Sequence, residues 1–227
     1  MTPFPLRLAA ALVLALLPGS PARAEPPPVV DLTETVDGKP LTDFAILWWQ
    51  WAFSMPKDQS PVRDEVGARC HVGQTGPVWF LAGGFGTSNI HRRCEIPAGR
   101  YVFFPVINTI VINRPDFSQP CADTRADVAR NTLTYVYLRV SLDGEEVEDV
   151  NRFRLAPDAC FDPFAAAPVT ARVPRGGTAA TDGFWIMLRP LPAGAHRLEF
   201  RAFYTNPDEA LGDMVQNITY DLTILAE

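Results

Sequence analysis

The chain lacks the short motifs that mark the common hydrolases, metalloproteases and nucleotide-binding enzymes. It has no Gly-x-Ser-x-Gly nucleophile elbow, no His-Glu-x-x-His helix, no phosphate-binding glycine loop and no dinucleotide fingerprint. It has only 3 histidines, and its 4 cysteines never occur in a Cys-x-x-Cys spacing. The sequence therefore indicates no cofactor and no dedicated metal site. A glycosidase with two distant carboxylates leaves no local motif, so that class of enzyme stays open.

Long apolar runs are also missing, apart from one near the N-terminus. Arg7 precedes an apolar run over 8–17, a Pro-Gly pair ends the run, and Ala22-Arg23-Ala24 forms a small-x-small cleavage site. The run is shorter than the ~20 residues that span a bilayer. Residues 1–24 therefore predict a secretory signal peptide that is cut after Ala24. We expect the mature chain to lack a transmembrane segment and to be periplasmic or secreted.

Basic residues are few relative to acidic ones. The chain has 20 Lys and Arg against 26 Asp and Glu, a formal net charge of −6. Cleavage of the signal peptide would remove two more positive charges, Arg7 and Arg23. An acidic protein repels nucleic acid and anionic lipid, so we expect neither as a partner. Apolar residues make up 47% of the chain, which is enough for a buried core.

Alternation of apolar and polar residues with a period of two predicts that most of the chain forms strands. The clearest example is 218–224, in which apolar and polar residues alternate without interruption. The same pattern covers 196–204 and 134–142, and the latter is followed by Asp143-Gly144, a strong hairpin turn. Three further segments are apolar on both faces and predict central strands that are covered on both sides, namely 78–82, 101–107 and 184–188.

These strands and the Gly/Pro turns between them predict an all-β fold, an antiparallel β-sandwich that resembles a jelly roll. We expect a single sandwich domain over residues 41–227, after a Pro-rich segment at 25–40. A short helix is predicted over 123–131 within this domain.

A Trp-rich helix is predicted at the start of the domain, from residue 41 or 42 to 54, because Pro56 stops its continuation. Trp48, Trp49 and Trp51 cover more than one face of this helix. At least one indole therefore packs beneath a loop or reaches the surface, where it can stack on a sugar or an aromatic ligand. We take Trp49 as the exposed indole and a candidate ligand-binding residue. The alternative is that the helix plugs one end of the sandwich and its aromatic residues are core.

Four cysteines in an exported chain predict two disulfides, because an oxidising compartment joins neighbouring thiols. Of the three possible pairings, we favour Cys70 with Cys94 and Cys121 with Cys160. Each of these disulfides closes a moderate loop, and the two loops do not interlace. A thiolate metal site is the competing interpretation, and the cysteine spacing does not favour it.

The segment around the first two cysteines is the candidate catalytic site. A disulfide holds its two Cα atoms about 5–6 Å apart, so we expect His71 and His91 to be close neighbours. With Asp64 they can hold a divalent metal, or one histidine can act as a general base that Asp64 orients. The candidate groups for binding an anion or a carbonyl are Gln74, Arg92 and Arg93. The alternative is that both histidines lie in surface loops beside a structural disulfide and that Asp64 caps a turn.

Three carboxylates form a further candidate site. A disulfide between Cys121 and Cys160 would bring Asp123 towards Asp158 and Asp162, and carboxylates near a bend can bind calcium. Their spacing does not match a dedicated calcium loop, which favours solvated loop carboxylates.

The cysteine-bracketed segment contains Gln74-x-Gly76-x-Val78-Trp79-Phe80-Leu81 and ends in Arg93-Cys94. Further along are Asp182-Gly183-Phe184-Trp185 and the turn Leu191-Pro192-Ala193-Gly194. In these stretches and in the Trp-rich helix, the sequence resembles a group of uncharacterised exported bacterial proteins with no activity to name. The resemblance implies an exported single-domain protein and transfers no catalytic residue.

We therefore expect an exported ligand-binding or envelope-associated module, whose partner is a small molecule, a carbohydrate or an envelope protein. The alternative is a secreted hydrolase or metal-dependent enzyme that uses Asp64, His71 and His91. A binding module should present an exposed indole in a cleft. An enzyme should place the histidines and a carboxylate within hydrogen-bond reach in a pocket.

Overall fold

The computed structural model describes residues 26–86, 88–113, 116, 119–132, 135–169, 173, 176–205 and 213–226. The predicted signal peptide, residues 1–24 with its cleavage site, lies outside the described residues. No helix in the described part is long and apolar enough to cross a membrane.

Strands dominate the described part of the chain, and two α-helices accompany them. In chain order the elements are β1 (Thr35–Val36), β2 (Lys39–Pro40), α1 (Leu41–Phe53), β3 (Val78–Phe80), β4 (Ser88–Ile96), β5 (Tyr101–Asn113), α2 (Cys121–Thr132), β6 (Tyr135–Leu142), β7 (Glu145–Glu146), β8 (Arg154–Leu155), β9 (Thr178–Leu188), β10 (Gly194–Tyr204) and β11 (Met214–Ile224). Two 3-10 helices, Pro61–Arg63 and Val150–Phe153, lie in the connections.

Two sheets pack face to face, so the predicted β-sandwich is confirmed. The five-stranded sheet has the order β4-β11-β10-β6-β7, and the four-stranded sheet has the order β3-β5-β9-β8. Most neighbouring strands are antiparallel, as expected. The exceptions are β3 with β5 and β4 with β11, which are parallel. Parallel neighbours need a long connection instead of a hairpin, and the turn pattern carries no signal for such a pairing.

The observed strands agree with the two kinds of apolar pattern. The alternating segments 196–204 and 218–224 form β10 and β11, whose regular antiparallel ladder runs from Gly194 opposite Ile224 to Tyr204 opposite Met214. The segments that are apolar on both faces all fall in the four-stranded sheet, where β9 is buried along its whole length after its first residue. That sheet is the middle layer of the fold.

One core fills the space between the two sheets, and a second core lies between the four-stranded sheet and α1. In the first, the rings of Phe104 and Phe200 stack with their centroids 4.9 Å apart. In the second, Trp48 packs edge-on against Trp185 at 5.4 Å, and Trp185 stacks on Phe103 at 5.3 Å. The Trp-rich helix therefore covers a face of the sandwich and does not plug its end.

Both predicted disulfides are confirmed. Cys70 is joined to Cys94 and Cys121 is joined to Cys160, and in each pair the Cα atoms are 5.8 Å apart. The second disulfide fastens the start of α2, which is one or two residues longer at each end than predicted, to the segment that precedes β9.

The first disulfide fastens the loop of residues 64–70 to the free edge of β4. In this contact the backbone N–H of Arg93 donates to the carbonyl of Val66 at 3.0 Å. Gly67 lies against the same part of the edge, since a Cβ added there would be 2.0 Å from the carbonyl oxygen of Arg93. Only glycine fits between the loop and the strand at this position.

We predict that Gly67→Ala lowers the free energy of unfolding by ~3 kcal/mol or more, because the new methyl group overlaps the backbone of β4. Gly76→Ala is a matched control, since Gly76 also has a positive φ, +66° against +92°, but has nothing within 4 Å of the added Cβ. It should lose only the ~1–2 kcal/mol of backbone strain. Denaturant unfolding of both variants with their disulfides intact measures the difference, and equal losses would contradict the close approach of loop and strand.

Candidate functional site

A cleft of about 370 Å³ lies beside the edge of β5, with walls from α1, β5 and the five-stranded sheet. Its size is in the range of small-molecule sites. We name it the aromatic cleft, and its wall is formed by Trp48, Trp49, Phe53, Val62, Gly83, Gly84, Phe85, Gly86, Pro105, Val106, Ile107, Asn108, Thr109, Ile110, Tyr204, Met214 and Gln216.

The cleft exists because β3 is much shorter than β5. The pairing of β3 with β5 ends at Phe103, although β5 continues to Asn113. The chain leaves β5 after Leu81, whose N–H donates to the carbonyl of Phe103 at 2.9 Å. Beyond that point the edge of β5 faces the cleft and not another strand.

The loop that follows β3 forms the opposite wall. It reads Gly83-Gly84-Phe85-Gly86, and Gln216 on β11 holds both ends of it. The N–H of Gly84 donates to Gln216 Oε1 at 2.9 Å, and Gln216 Nε2 donates to the carbonyl of Gly86. The glycines keep this wall free of side chains apart from Phe85, whose ring lies under the guanidinium of Arg63 at 5.0 Å.

The expectation that Trp49 is exposed is wrong, since only 6% of its surface is accessible. Its Nε1–H donates to Thr181 Oγ1 at 2.7 Å, and Thr181 Oγ1 donates to the carbonyl of Thr109 at 2.8 Å. The indole is also stacked on Phe53, with centroids 5.4 Å apart. Trp49 thus belongs to the core, but its ring still borders the cleft.

The other two indoles of α1 are also fixed by hydrogen bonds. Trp48 Nε1 donates to the carbonyl of Leu81 at 2.8 Å, and Trp51 Nε1 donates to the carbonyl of Val72 at 3.0 Å. Helix spacing alone cannot show these acceptors, because both lie more than 20 residues away in the chain. All three indoles are therefore fixed in place, and Trp48 and Trp49 form a rigid part of the cleft wall.

Asn108 is the polar side chain of the cleft that lacks a partner. Its Nδ2 is buried and has no hydrogen-bond acceptor among the described residues. The register of β5 against β9 shifts between Pro105 and Ile107, two residues before it, and such a bulge redirects the side chains that follow. Gly183 makes room for it, since a Cβ there would be 2.7 Å from the Cβ of Asn108. An unsatisfied buried donor costs about 1–3 kcal/mol, so a ligand that accepts its hydrogen bond recovers that cost.

The described residues of the cleft wall carry no charge. The residues that form it include no Asp, Glu, Lys, Arg or His. An ionised ligand would lose its hydration without gaining a counter-charge, which disfavours charged molecules. Aromatic and aliphatic surface together with one free amide donor suits an uncharged molecule that has an apolar face and a hydrogen-bond acceptor.

The candidate catalytic group of Asp64, His71 and His91 is not assembled. Within the described residues there is no cluster of three His, Cys, Asp or Glu that could hold a metal ion. His91 lies on the outer face of β4, where its Nε2 is 2.7 Å from Asp221 Oδ2, and both side chains are exposed. His71 is exposed on the loop beside the first disulfide, as the alternative interpretation expected.

Asp64 caps a turn, which was also the alternative interpretation. Its Oδ1 accepts from the N–H groups of Val66 and Gly67, each at 3.1 Å, and its Oδ2 accepts from the N–H of Arg69 at 2.6 Å. Burial raises the pKa of this carboxyl, but the three backbone donors outweigh burial and hold the pKa below its ordinary value of 3.8. Both oxygens of the carboxylate are thus engaged by the turn, and no histidine is among their partners in the described residues.

Two of the three candidate substrate-binding side chains are used within the fold. The amide of Gln74 donates to the carbonyls of Cys70 and Phe80 and accepts from the N–H of Phe80, at 2.8–2.9 Å. Arg92 is 1% exposed and therefore cannot reach a ligand. Arg93 is the only one of the three that lies at the surface.

The buried guanidinium of Arg92 makes five hydrogen bonds to neutral acceptors. It donates to Tyr220 Oη at 3.0 Å and to four backbone carbonyls at 2.5–3.3 Å, which belong to Val62, Asp64, Ala82 and Gly83. Burial raises the pKa of the Tyr220 phenol, against the opposing effect of Arg92. The neutral phenol is the form that donates to the carbonyl of Ala82 at 2.7 Å.

Two of the three candidate calcium carboxylates, Asp158 and Asp162, serve separate local contacts. Asp158 is ion-paired with Arg125 at 2.5 Å, and Asp162 Oδ1 accepts from the N–H of Phe164 at 2.8 Å. Asp123, Asp158 and Asp162 do not form a metal-binding cluster, since the described residues contain none. These contacts agree with the interpretation of loop carboxylates.

A comparison of the chain with protein-family models, with curated proteins and with solved structures finds no match. Its function must therefore be argued from the geometry of its own residues. One local signal in the sequence points to the cleft. It is the Gly-Gly-Phe-Gly stretch directly after the apolar segment 78–82. Such a stretch marks a close backbone approach or a ligand site.

We predict that Arg92→Lys lowers the free energy of unfolding by about 3 kcal/mol. An ammonium has three donors where the guanidinium has five, so buried carbonyls lose their partner. The neighbouring substitution Arg93→Lys, at an exposed position, should change stability by less than ~0.5 kcal/mol. Denaturant unfolding of both proteins measures this, and a small effect at Arg92 would contradict its role as the centre of the contact.

We predict that Asp64→Asn lowers stability by about 2 kcal/mol at pH 7, because the amide Nδ2 would face the N–H of Arg69 or leave another donor unpaired. A lowered pKa means that the stabilisation by Asp64 is present above the ordinary pKa of 3.8 and is lost as the pH falls through the folded-state pKa. The difference between wild type and Asp64→Asn should therefore shrink below about pH 4. Unfolding curves from pH 7 to pH 2 test this, with Asp58→Asn on an exposed turn as the control. A difference that stays constant down to pH 2 would contradict the assignment.

Proposed function

We propose that the protein is an exported binding protein that holds a small uncharged molecule in the aromatic cleft. The observation that carries the proposal is the buried and unpaired Nδ2 of Asn108 on the wall of a cleft of about 370 Å³. A protein keeps such a donor unpaired at a cost to its stability, and an external acceptor explains why the cost is tolerated. The sequence suggested a small molecule, a carbohydrate or an envelope protein as the partner. Of these, we propose the small molecule.

Much of the cleft wall is rigid and pre-formed, whereas Asn108 has to turn its buried amide towards the cleft before a ligand can accept from Nδ2. The ring of Trp49 is held by its hydrogen bond to Thr181 and by stacking on Phe53, and the glycine loop is held by Gln216. A wall that does not have to reorganise loses little conformational entropy on binding, which favours affinity for a small ligand. Specificity would come from the single amide donor and from the absence of charge.

Two observations support an extracellular or periplasmic location for this activity. Both disulfides are formed, and such bonds persist in oxidising compartments. The described part of the chain contains no helix that could cross a membrane. Export through the signal peptide of residues 1–24 remains part of the proposal.

We predict that uncharged ring compounds with an oxygen acceptor raise the melting temperature of the mature protein, because binding to the folded state stabilises it. Benzyl alcohol, benzamide and glucose are suitable probes, and the benzylammonium cation is the charged comparison. A shift with at least one neutral probe and none with the cation supports the proposal. Equal shifts with neutral and charged probes, or none with any of them, would contradict it.

Asn108→Leu separates a binding role of the amide from a structural one. The substitution keeps the number and branching of the side-chain heavy atoms but removes the unpaired donor, so the melting temperature of the ligand-free protein should not fall. Affinity for the neutral probe should drop about tenfold or more, as expected for the loss of one buried hydrogen bond. Asn217→Leu, on the outer face of β11, is the matched control and should bind as wild type does. Unchanged affinity in Asn108→Leu would show that the amide does not contact the ligand.

A further inference from the structure

We infer that a second cavity, beside the Cys70–Cys94 disulfide, is a binding site for the carboxylate of a small organic acid. The cavity has a volume of about 540 Å³ and shares no wall residue with the aromatic cleft. We name it the disulfide cavity. Its wall is formed by Gly67, Ala68, Cys70, His71, Trp79, Arg93, Cys94, Glu95, Pro97, Thr223 and Leu225.

The first argument is an unpaired donor on the wall of this cavity. Trp79 is buried, with 6% of its surface accessible, and its Nε1 has no hydrogen-bond acceptor among the described residues. The three indoles of α1 each have an acceptor, whereas the Nε1 atoms of Trp79 and Trp185 have none among the described residues. Of these two, only Trp79 lies on the wall of a cavity that a ligand could enter. An indole N–H is only a donor, so what it lacks is an oxygen acceptor.

The second argument is the pair of basic side chains on the same wall. Neither His71 nor Arg93 has a hydrogen-bond or ion-pair partner for its side chain among the described residues, whereas most other arginines of the outer surface do. Arg93 is held in place at its backbone by the hydrogen bond from its N–H to Val66. Among the described residues Glu95 is the one carboxylate on the wall, and it disfavours anions that approach from its side.

An indole N–H and a guanidinium together select a carboxylate, because both donate and the guanidinium supplies the opposite charge. The rest of the wall selects an acid with an apolar part. Pro97 and the ring of Trp79 offer apolar surface, and Leu225 is 40% exposed beside them. A volume of 540 Å³ has room for a ring or a short chain in addition to the carboxylate.

The experiment is a titration of the ¹⁵N-labelled mature protein with benzoate, with benzamide as the uncharged isostere, followed through the indole N–H signal of Trp79. Trp79→Phe, which keeps an aromatic ring at this position and removes the donor, assigns that signal. Benzoate should shift the Trp79 signal in a saturable way, and benzamide should not. The affinity for benzoate should fall at least tenfold in Arg93→Gln and in Trp79→Phe, while Arg139→Gln, an equal loss of charge on β6, should leave it unchanged.

The same carboxylate chemistry is offered by a free acid and by the C-terminus of a peptide. A short peptide ending in Phe, compared with its C-terminal amide, distinguishes these sources: tighter binding of the peptide acid than of benzoate indicates a peptide terminus, and weaker binding indicates a free acid. Two results would overturn the inference. One is a Trp79 signal that benzoate leaves unshifted. The other is a loss of benzoate binding in Asn108→Leu but not in Arg93→Gln, which would place the acid in the aromatic cleft.

Discussion

The buried guanidinium of Arg92 is the interaction on which the arrangement of the cleft depends. A positive charge that is 1% exposed and has no carboxylate partner among the described residues is tolerated because each of its three nitrogens donates to an acceptor. The acceptors come from the segment that contains Val62 and Asp64, from Ala82 and Gly83 after β3, and from Tyr220 on β11. Satisfying this one group therefore fixes where three separate parts of the chain meet.

The aromatic cleft follows from that constraint. Arg92 holds the carbonyls of Ala82 and Gly83, and Gln216 holds the next residues of the same loop. The loop is thereby kept away from β5, whose edge stays open beyond the end of β3. The gap that results is lined by rings from α1 and by the unpaired amide of Asn108. The stability of the core and the shape of the cleft are thus coupled, because the same hydrogen bonds that hold the core hold one wall of the cleft.

The strands and disulfides were predictable because their signals are local or limited in number. Alternation over 196–204 and 218–224 fixes which residues are buried, whichever strands lie beside them. The four cysteines allow only three pairings. The parallel placement of β4 beside β11 was not predictable, since it is decided by packing between distant segments.

The candidate site was harder to predict for a related reason. The acceptors of Arg92 lie up to 128 residues away in the chain, and no local sequence pattern shows them. The sequence therefore suggests that the guanidinium is free to bind a ligand, although it is buried in the fold. Trp49 was expected at the surface for the same reason, since the four-stranded sheet that covers it is formed by later segments. Asp64 is the instructive intermediate case. Its turn-capping role is local, within five residues, and was weighed as the alternative to a catalytic role.

The central claim is that an uncharged molecule binds in the aromatic cleft through Asn108. The most direct measurement is a crystal structure of the mature protein saturated with the neutral probe that gives the largest thermal shift. The account predicts an oxygen atom of that probe at about 3 Å from Asn108 Nδ2, with its ring against Trp49. A probe bound elsewhere, or bound in the cleft with Asn108 Nδ2 still unpaired, would contradict the account.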